Sequence, residues 1–184
     1  MNGLSDELDT RKKRRADIIN VFLSIVIVLL VAVIVTLIFF ITPMTVSGQS
    51  MYPTYDSGDR ILLSKVGYSL NRGDIIVFKI PGNDKPPVKR VIGLPGDVIH
   101  FDIDTMDYTV NGKPLDDYAT TYGYSVNYFM QSEPAVYVEL TTTGITVGEN
   151  QLFVLGDNRN DSNDSHVYGC IDRDWVVGKV ILHY

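Results

Sequence analysis

The sequence predicts a mainly β domain that follows a single N-terminal transmembrane helix. Two observations support this fold class. Residues 18–41 form an unbroken apolar run, and residues 42–184 contain short segments rich in β-branched and aromatic residues, separated by Gly, Pro, Asn and Asp. Beyond residue 45 no long apolar stripe of helical period is visible. We therefore expect a basic tail at 1–17, a membrane helix at 18–41 and a β-rich domain at 42–184.

The basic tail predicts the orientation of the chain in a membrane. Its cluster RKKRR at 11–15 lies immediately before the apolar run. Because basic residues beside a membrane helix stay on the cytoplasmic side, the tail should be cytoplasmic and residues 42–184 extracytoplasmic.

The apolar run is long enough to cross a lipid bilayer. Its 24 residues contain no charge, and as a helix they would span about 36 Å, against a hydrocarbon core of about 30 Å. The competing interpretation is a cleaved secretory signal, with Val46 and Gly48 as a weak cleavage site. Such signals usually have an apolar region of only about 7–15 residues, so we favour a permanent anchor with the bilayer as its partner.

The β-rich domain divides into segments bounded by turn residues. We predict strands at 60–66, 74–80, 88–94, 97–103, 135–141, 151–155 and 175–184. Asn111-Gly112 predicts a two-residue hairpin turn. Residues 104–134 show no clear period, and we interpret them as a hairpin followed by a long loop.

Composition excludes several classes of function. The net charge is −6, and residues 1–17 carry +1, so the remainder carries about −7 and has no basic surface that would make nucleic acid an expected partner. The one cysteine, Cys170, permits no internal disulfide and is interpreted as a small buried hydrophobe. It and the three histidines lack the spacing of zinc ligands, and no calcium-loop pattern is present. We therefore expect neither metal nor cofactor.

The stretch SGQSMYPT at 47–54 presents a serine, Ser50, just after the apolar run. A serine becomes a good nucleophile only beside a base. Histidine is the usual base, but His100 lies in an alternating strand pattern and His183 lies one residue from the end of the sequence, positions that favour structural roles.

Neutral lysine is the other base that can activate a serine, and Lys89 is a candidate. Lysine serves this purpose only in an apolar pocket that lowers its pKa. A strand at 88–94 would direct Lys89 and Val91 to one face and Arg90 to the other. The alternative is that Lys89 and Arg90 are solvated charges on an edge strand.

A third polar stretch completes a recognisable set. Alone, GDNRNDSNDSHVYG at 156–169 is typical of a surface loop. Together with the other two motifs it resembles the type I signal peptidases, the bacterial leader peptidases. The motifs that carry the resemblance are SGQSMYPT (47–54), GDRILLSK (58–65), KRVIGLPGD (89–97) and GDNRNDSNDS (156–165).

The resemblance implies a signal-peptidase-like β-fold and a membrane-anchored serine endopeptidase. Members of this family remove signal peptides from exported pre-proteins with a serine–lysine dyad and need no cofactor. The resemblance therefore makes residues 42–184 a catalytic domain and signal peptides its partners.

The resemblance also implies roles for individual residues. Ser50 corresponds to the nucleophile, Lys89 to the general base and Ser162 to a serine that orients the lysine. Asp157 corresponds to an aspartate that pairs with the arginine after the base, here Arg90. Asp164 corresponds to a second structural aspartate, and the residues implied to flank the substrate cleft are Gly48, Gln49, Met51 and Pro53.

The sequence departs from the family pattern at two positions. Where the family commonly has an arginine as the ion partner of the second aspartate, this chain has His166, so we expect a weaker, pH-dependent pair. Where some members carry a hydroxyl that donates to the oxyanion, this chain has Gly48, which leaves the Ser50 backbone N–H as the identified donor.

Two alternatives differ in class from this hypothesis. The first is a non-catalytic membrane-anchored β-domain that binds signal peptides or a partner protein. The second is a self-cleaving repressor that uses serine and lysine, but it would need a helical DNA-binding module where this chain has an apolar run.

Overall fold

The computed structural model describes residues 2–115 and 132–184, with side chains from residue 11 onward. It separates into two compact units, Met1–Ile41 and Thr42–Tyr184. The first unit is the helix α1 (Asn2–Phe40). Its segment Arg11–Phe40 is long and apolar enough to cross a membrane.

Polar side chains within α1 bond to its own backbone. The Ser24 hydroxyl donates to the Asn20 carbonyl at 2.8 Å, and the Thr36 hydroxyl donates to the Ala32 carbonyl at 2.8 Å. These bonds satisfy both hydroxyl protons inside the helix, as a lipid environment requires.

The second unit is built mainly from β-strands. They are β1 (Ile41–Thr45), β2 (Arg60–Ser64), β3 (Ile75–Phe78), β4 (Val88–Gly93), β5 (Val98–Asp102), β6 (Asp107–Val110), β7 (Lys113–Pro114), β8 (Ile145–Thr146), β9 (Gln151–Leu155), β10 (Ile171–Asp172) and β11 (Val176–His183). Within the described residues they form a seven-stranded sheet, in the order β1-β2-β11-β3-β4-β9-β10, and a four-stranded sheet, in the order β7-β6-β5-β8. The predicted mainly β fold class is confirmed.

The predicted hairpin between β6 and β7 is also confirmed. Asn111 and Gly112 both have positive φ, 52° and 73°, as a two-residue turn of this type demands. Val110 then faces Lys113 in the antiparallel register. Part of the long loop predicted within 104–134 lies outside the described residues.

One predicted strand is wrong. Residues 135–141 belong to the helix α2 (Pro134–Thr142), in spite of their β-branched residues. Pro134 suits the first turn of a helix, where its missing N–H costs nothing. At the other end Gly144, with φ of 79°, donates its N–H to the Glu139 carbonyl at 2.7 Å. These end signals outweigh the β propensity of the residues between them.

Two further helical segments lie near the polar stretch: α3 (Ser165–Tyr168) and a 3₁₀ turn at Arg159–Asp161, while a second 3₁₀ turn spans Arg173–Trp175. Helix α3 packs against α2 and β9. Its first turn is capped by the Asp164 side chain, which accepts from the His166 N–H.

The seven-stranded sheet matters most for the site, because β4 lies in its interior. All six residues of β4 are buried. The strand pairs with β3 on one side, where Lys89 faces Ile76, and with β9 on the other, where Arg90 faces Leu155. A solvated edge strand, the alternative considered for Lys89, is therefore wrong.

Candidate active site

Ser50 lies on a loop, residues 46–59, that leaves and returns to the seven-stranded sheet. The loop is closed where Val46 N–H donates to the Asp59 carbonyl at 2.8 Å and Gly58 N–H donates to the Val46 carbonyl at 3.0 Å. Gly48 adopts φ of 90°, a conformation that favours glycine. The loop therefore turns sharply two residues before Ser50.

The loop is held from below by apolar anchors. Met51 is 1% exposed and belongs to a hydrophobic cluster with Val46, Tyr55, Leu63 and Val88. Met51 is therefore an anchor for the turn that carries Ser50, which is only half-buried.

Lys89 reaches Ser50 from β4. Its Nζ lies 2.6 Å from Ser50 Oγ, across 39 residues of sequence. The lysine is 3% exposed. The structure thus brings together the two residues that the sequence proposed as nucleophile and base.

Burial changes the basicity of this lysine. Removal from water lowers the pKa of Lys89 from its ordinary value near 10.5, while the charges of Asp164, Asp157 and Asp161 oppose that shift. The net direction is downward, which favours the neutral amine that a general base requires.

The residue after Lys89 forms a buried ion pair. Arg90 donates to Asp157 through Nε at 2.8 Å and through a terminal nitrogen at 2.5 Å. Another terminal nitrogen donates to the Gly73 carbonyl at 2.8 Å, and the Thr54 hydroxyl donates to the same aspartate. This bidentate ion pair links the polar stretch after β9 to strand β4, and the Thr54 bond links the same stretch to the Ser50 loop.

The polar stretch also contacts the nucleophile's backbone. Asn158 N–H donates to the Ser50 carbonyl at 3.0 Å, and the Asn158 side-chain amide donates to the Gln49 carbonyl at 3.1 Å. Gly156 lies against both Ser50 and Ser162: a Cβ there would meet the Ser50 carbonyl oxygen and the Ser162 side chain far inside van der Waals contact. Neither Gly156 nor Asn158 was predicted from the sequence, although a glycine between a strand and a polar loop could have suggested a close approach.

Ser162 was expected to orient Lys89. In the described residues its hydroxyl donates to Asp164 Oδ2. Asp164 is fully buried and also accepts from Gly156 N–H at 2.8 Å. Ser162 therefore belongs to an aspartate-centred cluster beside the dyad, and direct orientation of Lys89 by Ser162 stays a prediction.

His166 occupies the position of the expected ion partner of Asp164. Its Nδ1 lies 2.7 Å from Asp164 Oδ1, and the histidine is 2% exposed. Burial alone would raise the pKa of Asp164, but the bond from His166 and the charges of His166 and Lys89 outweigh it and lower that pKa. Asp164 is therefore held as a carboxylate.

A cleft of about 400 Å³ opens beside the Ser50 hydroxyl. One wall is the end of β1 and the start of the Ser50 loop, and the other is the segment that leads into β4. Its lining residues are Met44, Thr45, Val46, Ser47, Ser50, Met51, Asp84, Lys85, Pro86, Pro87, Val88 and Lys89. Of the residues implied to flank a substrate, Met51 lines this cleft, whereas Gly48, Gln49 and Pro53 do not. The Gln49 side chain donates instead to Asp56 at 2.7 Å.

Among the side chains of residues 11–115 and 132–184, no group of three or more His, Cys, Asp and Glu is arranged to hold a metal ion. A serine beside a base is the arrangement that nucleophilic catalysis requires.

The chain matches known proteins over most of its length. The sequence model of the family described as signal peptidase, peptidase S26, matches residues 18–184. Signal peptidase IB of Staphylococcus aureus (strain COL) is 36% identical over 159 residues, covering 79% of this chain and 78% of the relative. The probable signal peptidase I-1 of Synechocystis sp. is 34% identical over 170 residues, covering 85% of this chain and 79% of the relative.

A solved structure also matches. The crystal structure of a signal peptidase I from Enterococcus faecalis V583 is 31% identical, with a TM-score of 0.44, and the match covers 62% of this chain and 98% of that one.

Proposed function

This chain belongs to the signal peptidase family, peptidase S26, and from that premise we propose that it cleaves the signal peptides of exported pre-proteins with a Ser50–Lys89 dyad. The observation that carries the proposal is the 2.6 Å contact between Lys89 Nζ and Ser50 Oγ in a water-poor setting. It unites a nucleophile and a base whose positions in the sequence are far apart.

The first chemical step begins with neutral Lys89. Its amine accepts the Ser50 hydroxyl proton while Oγ attacks the scissile carbonyl carbon. The protonated amine then gives its proton to the leaving nitrogen, and the C–N bond breaks to leave an acyl-enzyme. In the second step Lys89 takes a proton from water, whose oxygen attacks the ester carbonyl. The ester C–O bond then breaks, and the protonated amine returns its proton to Ser50 Oγ, which restores the hydroxyl and the neutral lysine.

The developing oxyanion needs donors near Ser50. The Ser50 backbone N–H is a candidate, because it donates to no group among the described residues and lies beside the reacting hydroxyl. Gly48, at the position of the hydroxyl found in some relatives, supplies no side-chain donor. A backbone donor costs no reorganisation when the charge forms.

The cleft beside Ser50 suits an extended peptide. Residues 44–47 line one side of the cleft and residues 84–88 the other, and we propose that an extended peptide pairs with a strand edge between them. The family resemblance implies cleavage after an Ala-x-Ala pattern, with small residues at the first and third positions before the bond. We propose that the apolar lining, which includes Met44, Met51 and Val88, enforces this rule by steric clash with larger side chains.

The family, together with the N-terminal apolar helix, suggests membrane anchoring. We propose that residues 18–41 cross the bilayer once, with 1–17 in the cytoplasm and 42–184 outside, as the basic cluster at 11–15 indicates. Signal peptides that emerge from the membrane would then meet the cleft at high effective concentration.

The decisive experiment is cleavage of a labelled pre-protein by the detergent-solubilised chain, with the cut located by mass spectrometry. Ser50→Ala and Lys89→Ala should each reduce kcat/KM by about 10⁴-fold or more, because the nucleophile or its base is lost. Ser69→Ala and Lys65→Ala are matched controls at exposed positions and should cleave at the wild-type rate.

The outcomes separate the two classes of function. A folded wild-type protein that binds but never cuts would favour the non-catalytic β-domain. Wild-type cleavage by either dyad variant would overturn the assignment of roles.

A further inference from the structure

His166 contacts one oxygen of Asp164, while Ser162 and Gly156 contact the other. It is in the first turn of α3 and is 2% exposed. Its Nδ1 contacts Asp164 Oδ1 at 2.7 Å, and its backbone N–H donates to the same oxygen at 3.2 Å. One carboxylate oxygen is thus committed to His166.

The other carboxylate oxygen serves the site. Asp164 Oδ2 accepts from the Ser162 hydroxyl and from Gly156 N–H at 2.8 Å. Gly156 in turn lies directly against the Ser50 carbonyl oxygen. Asp164 is therefore a rigid link between His166 and the backbone that carries the nucleophile.

Asp164 also acts on Lys89 by its charge. Among the charges that oppose the lowering of the Lys89 pKa, that of Asp164 is the largest. A carboxylate compensated by a cation has a weaker field at a neighbouring amine than one compensated by a neutral donor.

We propose that His166 is a positioning residue which, through Asp164, sets the negative charge that faces the Lys89 amine. A positive charge at position 166 compensates Asp164 and leaves Lys89 free to act as a base. A neutral donor at that position leaves the charge of Asp164 uncovered, which favours the protonated form of Lys89. This inference rests on the proposed function, in which Lys89 is the base.

Other ionisable groups lie on the elements packed around α3. Those on and before α2 are Glu133, Tyr137 and Glu139, and those in the stretch after β9 are Asp157, Arg159 and Asp161. Asp157 is already paired with Arg90. Tyr168, in α3 itself, has its pKa raised by burial and by the charge of Asp164. It is therefore neutral at every pH at which cleavage would be measured. The Asp164 carboxylate contacts His166 directly, at 2.7 Å.

The first test is the pH profile of kcat/KM for the full chain in detergent. His166→Arg fixes a positive charge beside Asp164, whereas His166→Gln provides a donor without charge. The acidic limb of the Arg variant should lie about one pH unit below that of the Gln variant. His100→Gln, on the other sheet, is the control and should reproduce the wild-type limb. Coincident limbs for the two His166 variants, with only a common loss of rate, would overturn the proposal.

The second test measures Lys89 without catalysis. In a Ser50→Ala background, the reaction of Lys89 with acetic anhydride is followed by mass spectrometry as pH is varied, with Lys65 as the internal reference. The midpoint for Lys89 should be lower with Arg than with Gln at position 166. If the Arg variant does not fold, Asp164→Asn replaces it, and removal of that charge should lower the midpoint too.

An unchanged midpoint in Asp164→Asn would overturn the inference even if cleavage by the wild type is established. Conversely, a shifted midpoint in a protein that never cleaves would support the coupling and reject the proposed function.

Discussion

The two halves of the proposed dyad are carried by opposite kinds of structure. Lys89 belongs to β4, in which every residue is buried between two neighbouring strands. Ser50 belongs to a loop in which only Val46, Met51 and Tyr55 are buried. A base made from lysine must be kept from water, whereas a nucleophile must be reached by substrate. The fold satisfies both needs by bringing an exposed loop over an interior strand.

The forces that hold the two segments differ as well. Strand β4 is fixed by backbone hydrogen bonds to β3 and β9. The Ser50 loop relies on a few apolar anchors and on contacts from the polar stretch, mainly Gly156, Asp157 and Asn158. Substitutions in that stretch should therefore disturb the nucleophile more than they disturb the sheet, with the buried ion pair as the exception.

The largest effect on stability should come from that ion pair. Asp157→Asn leaves the Arg90 charge buried without its carboxylate, and we expect the free energy of unfolding to fall by about 3–5 kcal/mol. Urea denaturation followed by circular dichroism measures the change. A loss below about 1 kcal/mol would mean that β4 holds Arg90 without help from the polar stretch.

Gly156→Ala should displace the Ser50 loop while leaving strand β4 in place. The new Cβ would collide with the Ser50 carbonyl and the Ser162 side chain, so the nucleophile must move. We expect kcat/KM to fall by about 100-fold or more, since small misplacements of reacting groups are costly.

Gly148→Ala is the matched control for that substitution. Its Cβ would meet only the flexible end of the Gln151 side chain, 2.8 Å away, which can rotate aside. Equal activity in the two glycine variants would contradict the close approach of Gly156 to Ser50.

Lys89→Met should remove activity but raise stability. The folded state lowers the pKa of Lys89 from its ordinary value near 10.5, so between the folded and the ordinary pKa the unfolded chain binds more protons. The stability of the wild type therefore rises with pH across that window. The destabilisation caused by burial of the charged Lys89 amine is fully present below the folded pKa.

Methionine has a similar apolar side chain without the charge. We therefore expect the free energy of unfolding to rise by about 1 kcal/mol at neutral pH, and this gain should disappear above about pH 10.5. Thermal unfolding at neutral and alkaline pH measures it, with Lys65→Met as the exposed control. A gain that persisted at alkaline pH would show that it does not come from the amine's desolvation.

The smallest effect should come from an ion pair nearer the surface. Arg72 contacts Asp97 at 3.0 Å with 36% of its side chain exposed. Arg72→Ala should cost about 1 kcal/mol or less by chemical denaturation, because solvent screens the pair and Asp97 keeps its bonds from Leu94 and Asn111. A cost equal to that of Asp157→Asn would remove the distinction between interior and surface pairs.

Local patterns predicted most of the strands but misassigned α2. Strand 88–94 and the Asn111-Gly112 turn depend on neighbouring residues, which the sequence displays directly. The strand prediction for residues 135–141 was wrong because it considered their β propensity and not the helix-end signals at Pro134 and Gly144. The short strands β1, β8 and β10 were not predicted. Segments of two to five residues become strands mainly because a neighbouring strand pairs with them, and their own sequence shows little of this.

The sequence by itself determined the apolar helix, the β class and the residue types able to act as nucleophile and base. Only the tertiary structure decided that Lys89 lies on an interior strand, that Gly156 supports Ser50, and that Asp164 stands between Ser162 and His166. The reason is that propensity and periodicity act over neighbouring residues. Desolvation and hydrogen bonding at this site depend instead on groups brought together across 39 to more than 100 residues of chain.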